Sequence, residues 1–235
     1  MNLLLLVQRF CKRTNLDVPN TVLGTTDPQI KQILGLLEEE GNDLAGRGDW
    51  QELTNEATHT SLAQENQGAI KTIASNGFRY IKNGTLWNRT DNDLIYVIDG
   101  TDWQQLQATA STGPSTQVRI RGGNLIAYPT PTAGDTWAFE YITYNWITDS
   151  AGANPDQYFT ADTDLMLLPE NILMMGLRWR WKKEKGLEYA EDFRSYEILV
   201  KDALTRSGMN RTLNMSDRPS TPNPKVVIPE GSWGL

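Results

Sequence analysis

The chain has 235 residues, 39% hydrophobic and 22% charged, with a formal net charge of −7. A chain of this length can bury roughly 70% of its unfolded surface in one large or two modest domains, so it needs no covalent staple. The single cysteine, Cys11, excludes an internal disulfide and reads as a small core residue, and the acidic balance disfavours avid general binding to a phosphate backbone.

No stretch approaches the roughly 18 apolar residues of a membrane-crossing helix. Leu3 to Val7 is too short for a signal-peptide core, and Arg9, Lys12 and Arg13 follow it rather than precede it. The expectation is a protein made in a cytoplasm and starting at Met1.

Residues 2–14 predict an amphipathic helix, with Leu3, Leu6, Val7 and Phe10 on one face. Leu16 to Thr26 reads as a loop. Asp27-Pro28 then pairs an N-cap with a proline at the first helical position, and Ile30, Ile33, Leu34 and Leu37 keep helical period. Glu38, Glu39 and Glu40 stand toward the unfavourable end of the helix dipole, so they must be solvated or paired. Gly41, Gly46 and Gly48 are expected to close this helix.

From Trp50 to about Thr163 the period shortens to that of strands. Glu56 to Leu62 predicts a strand. Phe78–Ile81 and Leu86–Arg89 flank Asn83-Gly84, a pair favoured in type I′ hairpins. Leu94 to Ile98 is a further apolar run. Thr101 to Leu106 predicts a short helix with Thr101 as N-cap. Gln117–Arg121 turns at Gly122-Gly123 and returns as Leu125–Tyr128, which Pro129 and Pro131 end. Thr136 to Trp146 predicts the longest strand, with Trp137, Phe139, Tyr141 and Thr143 on one face. Ser150 to Asp164 is a polar return.

Met166 to Ser207 predicts a helical hairpin turning at Gly186. Its first helix starts near Pro169 and carries Ile172, Met175, Gly176 and Trp179 on one face. It ends in Arg178, Arg180, Lys182, Lys183 and Lys185, which suit a C-terminal dipole. The second opens with Glu188, Glu191 and Asp192, presents Tyr189, Phe193, Tyr196, Val200 and Ala203 inward, and stops at Gly208. Met209 to Leu235 is interrupted by Pro219, Pro222, Pro224 and Pro229, and reads as an extended arm with Val226, Val227, Ile228 and Trp233 as apolar points.

This order predicts an α+β fold: a four-helix bundle-like layer (1–48 plus 165–208), an inserted antiparallel β domain (49–164) and an extended arm (209–235). Catalytic signatures are missing. There is no nucleophile elbow, phosphate-binding loop, dinucleotide fingerprint or zinc spacing. His59 stands alone in a strand, without the second positioned group that base catalysis needs. Asp156, Asp162 and Asp164 lack calcium-loop spacing and read instead as an acidic approach to the helix at Pro169. The run Arg178-Trp179-Arg180-Trp181-Lys182-Lys183 interleaves cations with aromatics, but helical spacing turns Trp179 inward and leaves Arg178 and Lys182 on a solvent face. Neither catalytic nor metal-binding nor cofactor-binding residues are assigned.

Several stretches resemble the head-to-tail adaptor proteins of short-tailed bacteriophages. They include Leu-Leu-Leu-Val-Gln-Arg-Phe-Cys (4–11), Gln-Ile-Leu-Gly-Leu-Leu (32–37), Leu-Trp-Asn-Arg-Thr (86–90), Val-Arg-Ile-Arg-Gly-Gly (118–123), Phe-Glu-Tyr (139–141) and Phe-Thr-Ala-Asp-Thr-Asp (159–164). The most specific are Leu-Arg-Trp-Arg-Trp-Lys (177–182) and Lys-Gly-Leu-Glu-Tyr-Ala (185–190). The resemblance implies a non-enzymatic virion protein forming a ring of about twelve copies between portal and tail nozzle, closed by heterologous contacts, with DNA only passing through its lumen. It implies portal docking by the arm, so Val226, Val227, Ile228 and Trp233 are the expected anchors. Arg178, Lys182, Glu38 and Glu39 are candidate charges between copies. An acidic lumen would let the DNA backbone slide. The alternative is a small phage hydrolase or depolymerase with a groove lined by some of the eight tryptophans; a nucleic-acid binder is a third reading.

Overall fold

The computed structural model describes residues 1–109 and 115–207. The arm residues Val226, Val227, Ile228 and Trp233, and the expected stop at Gly208, lie outside the described residues. The protein is α+β.

Helix α1 (Leu3–Thr14) is capped by Asn2, whose side chain accepts from Leu5 N at 3.0 Å. Helix α2 (Pro28–Gly46) is capped by Asp27, which accepts from Gln29 N at 2.8 Å. Gly41 does not stop it. A Cβ there would overlap the indole of Trp146, so this glycine serves close packing in mid-helix.

The chain then enters strands β1 (Thr54–Thr60) and β2 (Asn66–Ala69), with the short helix α3 (Ile70–Ile73) after them. Strands β3 (Phe78–Ile81), β4 (Trp87–Asn88), β5 (Asp93–Leu94) and β6 (Tyr96–Val97) lead to helix α4 (Gly100–Thr109). Strands β7 (Gln117–Arg121), β8 (Asn124–Tyr128) and β9 (Thr136–Thr143) follow, and β10 (Ile147–Thr148) pairs β11 (Leu165–Met166). Helices α5 (Glu170–Glu184) and α6 (Ala190–Arg206) complete the described chain.

The β7–β8 hairpin forms as expected, with φ of 59° at Gly122 and 78° at Gly123. The Asn83-Gly84 hairpin does not. Only Gly84 has a positive φ, 76°, where a type I′ turn needs two. The turn lets β3 and β4 run in the same direction along one edge of β9, each antiparallel to it, while β1 holds the other edge. Nor are the strands uniformly antiparallel: β6 lies parallel to β7. The Leu94–Ile98 run is split between β5 and β6, which belong to different sheets. The N-cap of α4 is Asp99, which accepts from Thr101 N and Asp102 N at 2.8 and 2.9 Å, not Thr101. In the hairpin, Pro169 is the residue before α5 rather than its first, and Gly186 takes φ 67° at the turn.

Two apolar cores result. One gathers Leu6, Phe10, Ile33, Leu37, Trp146, Leu173 and Tyr196 from the long helices and their neighbours. The other, holding Ala57, Leu86, Val118, Leu125, Trp137 and Phe139, draws on both larger sheets. Strand β9 faces both, for Phe139 and Tyr141 join the second core while Ile142 joins the first. Alternation along a strand places successive side chains on opposite faces, so a strand buried on both reads as nearly continuous apolar sequence.

Candidate functional site

The centre of the helical part is a buried cation. Arg180 on α5 donates from Nε to Glu40 Oε2 at 2.6 Å, from Nη2 to Asp43 Oδ2 at 3.0 Å, and from Nη1 to Glu39 Oε1. Glu39, Glu40 and Asp43 share one face of α2 through helical spacing. Glu40 has no solvent exposure, and burial pushes its carboxyl above the ordinary range although Arg180 opposes the shift. Space for that carboxylate exists because residue 176 of the facing helix is glycine; a Cβ there would overlap it. Burial and the Glu40 carboxylate also push the Tyr196 hydroxyl up. This cluster fixes α2 to α5. Each of the three Arg180 nitrogens meets a carboxylate of α2, and an arginine stays protonated, so its role here is to hold the helices together.

A second clamp holds α5 to α6. Asp192 accepts the ion pairs of Arg178, at 3.3 Å, and of Lys182. Both cations proposed for contacts between copies therefore have a partner within the chain. Glu39 is paired with Arg180, and Glu38 accepts from Phe159 N at 3.3 Å. Ile172 and Trp179 are buried and Met175 is half-buried. Tyr196 is fully buried, but Tyr189 and Phe193 remain 38% and 37% exposed. They lie against the Trp179 ring at 6.4 and 5.0 Å and cover it rather than sink beside it. The inward stripe expected of α6 is thus narrower, because its first turn overhangs the end of α5.

Sequence reasoning missed Arg180 as the pivot of this layer by grouping it with the terminal cations. The signal present was the spacing of Glu39, Glu40 and Asp43, which demands a cation on the facing helix.

The remaining candidates resolve as follows. The His59 ring packs edge-on to Trp137 at 6.1 Å, with Gln67 Oε1 3.4 Å from its Nε2. Asp162 accepts from Thr21 Oγ1 at 2.6 Å and from the backbone N–H groups of Val22 and Leu23 at 3.1 and 3.0 Å. Although burial opposes it, these bonds hold its carboxyl below the ordinary range. Asp164 Oδ2 accepts from the backbone of Thr160 and Ala161 at 2.7 and 2.8 Å. Both aspartates tie loops together, and Asp156 bridges Ile147 through its backbone.

Two surface features stay open. Between α1 and α5 runs a trough formed by adjoining pockets of about 820 and 550 Å³. Arg9, Lys12 and Arg13 line one side over Met174 and Met175, and Trp181 and Lys182 continue it. On the β sheet, Trp87 is 42% exposed in a groove of about 450 Å³ with Glu56, Arg89 and Glu140. Among the described residues no helix is long and apolar enough to cross a membrane, and no group of three or more His, Cys, Asp or Glu could hold a metal ion. No protein-family profile and no curated protein matches the chain.

Proposed function

We propose that this protein is a structural adaptor of a short-tailed bacteriophage, joining portal to tail nozzle as a ring that DNA traverses, and that it performs no catalysis. The observation that carries the reading is where the resembling segments fall. Residues 4–11, 32–37, 159–164, 177–182 and 185–190 are distant in sequence yet meet: Leu4 N donates to the carbonyl of Asp162 at 3.1 Å, Phe10 packs on Trp181 at 6.0 Å, and Lys185 Nζ donates to Gln32 Oε1 at 2.9 Å. Packing of α1 and α2 on each other and on α5, and of α5 on α6, supports a four-helix layer of the kind the family uses. The exposed Leu187, Tyr189, Phe193 and Ile198 supply apolar surface for neighbours. The arm residues 209–235 reach the portal in this reading.

The test is assembly. Purified chain mixed with the portal of the same phage is expected to shift to a ring-sized complex by native mass measurement, and virions lacking the chain are expected to carry no tails. Normal tail attachment without it would sink the reading.

One feature favours the hydrolase alternative. Glu56 and Glu140 are opposite each other across β1 and β9, beside exposed Trp87, as paired carboxylates in a sugar groove would be. Each already faces a cation, Arg89 or Lys82. Release of reducing ends from host polysaccharide, lost in Glu56→Gln and Glu140→Gln, would decide for it.

A further inference from the structure

The trough between α1 and α5 combines two properties seldom left exposed together. Its floor is apolar: Met174 is 6% exposed, and Phe10 and Trp181 close one end. Its rim is cationic. Lys12 and Arg13 have no ion-pair partner among the described residues, whereas Arg9 pairs Glu170 at 2.5 Å. A ligand for this surface must bring carboxylates or phosphates together with apolar side chains.

The chain itself presents that combination elsewhere. From Thr90 to Val118 its only charges are Asp91, Asp93, Asp99 and Asp102, with no lysine or arginine. All four carboxylates are exposed, at or beside β5, β6 and the start of α4. Between them Tyr96 and Val97 of β6 are 38% and 40% exposed, and β6 ends its sheet. Arg119 lies beside Gly100 at the start of α4. Acidic residues flanking an edge strand discourage backbone pairing with another edge, so a partner meets this face through side chains.

We propose that the α1–α5 trough of one copy receives the β6–α4 face of a second copy, with Tyr96 and Val97 over the apolar floor and the aspartates against Lys12 and Arg13. The contact deepens the assembly reading above and rests on it: the two surfaces differ, so the interface is heterologous and propagates from copy to copy until it closes. Charge complementarity selects this occupant. A polyanion would meet the same rim but would be repelled by a chain of net charge −7. Opposite patches on identical molecules are always present at equal concentration, and their attraction weakens as salt screens it.

The full-length chain tests this by site-directed cross-linking. Lys12→Cys and Val97→Cys proteins are mixed at high concentration and low salt with a short bis-maleimide; native Cys11 is buried and serves as the background control. The expected product is a Lys12→Cys to Val97→Cys heterodimer, lost at high salt and cut about tenfold when Lys12 and Arg13 are both changed to Glu in a sedimentation assay of self-association. Adding Asp93→Lys and Asp102→Lys to that reversed rim restores association. Cross-linking no greater than with a Cys at Thr58, an exposed residue of β1 outside both surfaces, or no restoration by the double reversal, overturns the docking. Displacement by a duplex oligonucleotide that binds the same rim also overturns it, in favour of a nucleic-acid ligand. Portal capture by native mass measurement is scored separately, so an adaptor with a different contact between copies is distinguishable from a chain that is no adaptor.

Discussion

Two glycines of the helical layer show how one atom decides a packing. Gly176 leaves room for the Glu40 carboxylate, whereas Gly35, on the same helix as Glu40, has nothing within 4 Å of where its Cβ would stand. Gly176→Ala is expected to cost about 2 kcal/mol or more through overpacking. Gly35→Ala should gain about 0.5–1 kcal/mol from helix propensity. Urea midpoints of the two variants check both signs. Arg180→Ala strands a carboxylate with no access to water, so a loss of about 3–5 kcal/mol is expected from the same measurement. Asp162 supplies the pH dependence. Its folded carboxyl holds its proton less tightly than the unfolded one, so the unfolded chain takes up more protons as pH falls. The stability it contributes is complete above about pH 4 and lost as pH drops through the folded value. Thermal melts across pH 2–5 should therefore show an acid limb that is shallower in Asp162→Asn.

Elements differ in how far their own residues specify them. Helices α1 and α2 begin at Asn2 and Asp27, whose side chains accept the first free N–H groups; the Asp27-Pro28 start is legible in sequence, whereas the sequence pattern counts Asn2 as the first residue of its helix and it proves to be the cap. The α5–α6 turn is equally local: Gly186 adopts φ 67°, which a side chain disfavours. Gly186→Ala is expected to lower stability by about 1 kcal/mol, read from the chemical denaturation midpoint, without loss of helical circular dichroism. Strand pairing is not local. Asn83-Gly84 carries a hairpin signature, yet β3 and β4 both pair with β9, about fifty to sixty-five residues away, because the edge of β9 not held by β1 is long enough to take both and β9 is apolar on each face. The burial of Ile81 and Leu86 against that long strand outweighs the turn's preference.

At the scale of the molecule, helices and sheets meet along β9, and the charged surfaces that remain are unlike one another: a cationic trough on one side and an acidic sheet edge on another. A protein with such unlike faces and an apolar helix tip is suited to being held among neighbours. On the adaptor proposal, deleting residues 209–235 is expected to abolish capture by the portal, measured as loss of co-migration in native electrophoresis, and Trp233→Ala to weaken it by about tenfold.

By itself the sequence determined the α+β class, the positions of the four long helices with the Asp27 cap of α2, the β7–β8 hairpin and the helical turn at Gly186. These depend on contacts within a few residues, where periodicity, capping and glycine dihedrals act directly. Tertiary structure alone decided that β6 runs parallel to β7, that β9 separates two cores, and that Arg180 sits among three carboxylates of α2. It also decided which charges stay unpaired on the surface. Those outcomes depend on which distant segments share space, and a carboxylate on one helix acquires its meaning only when the cation opposite is known.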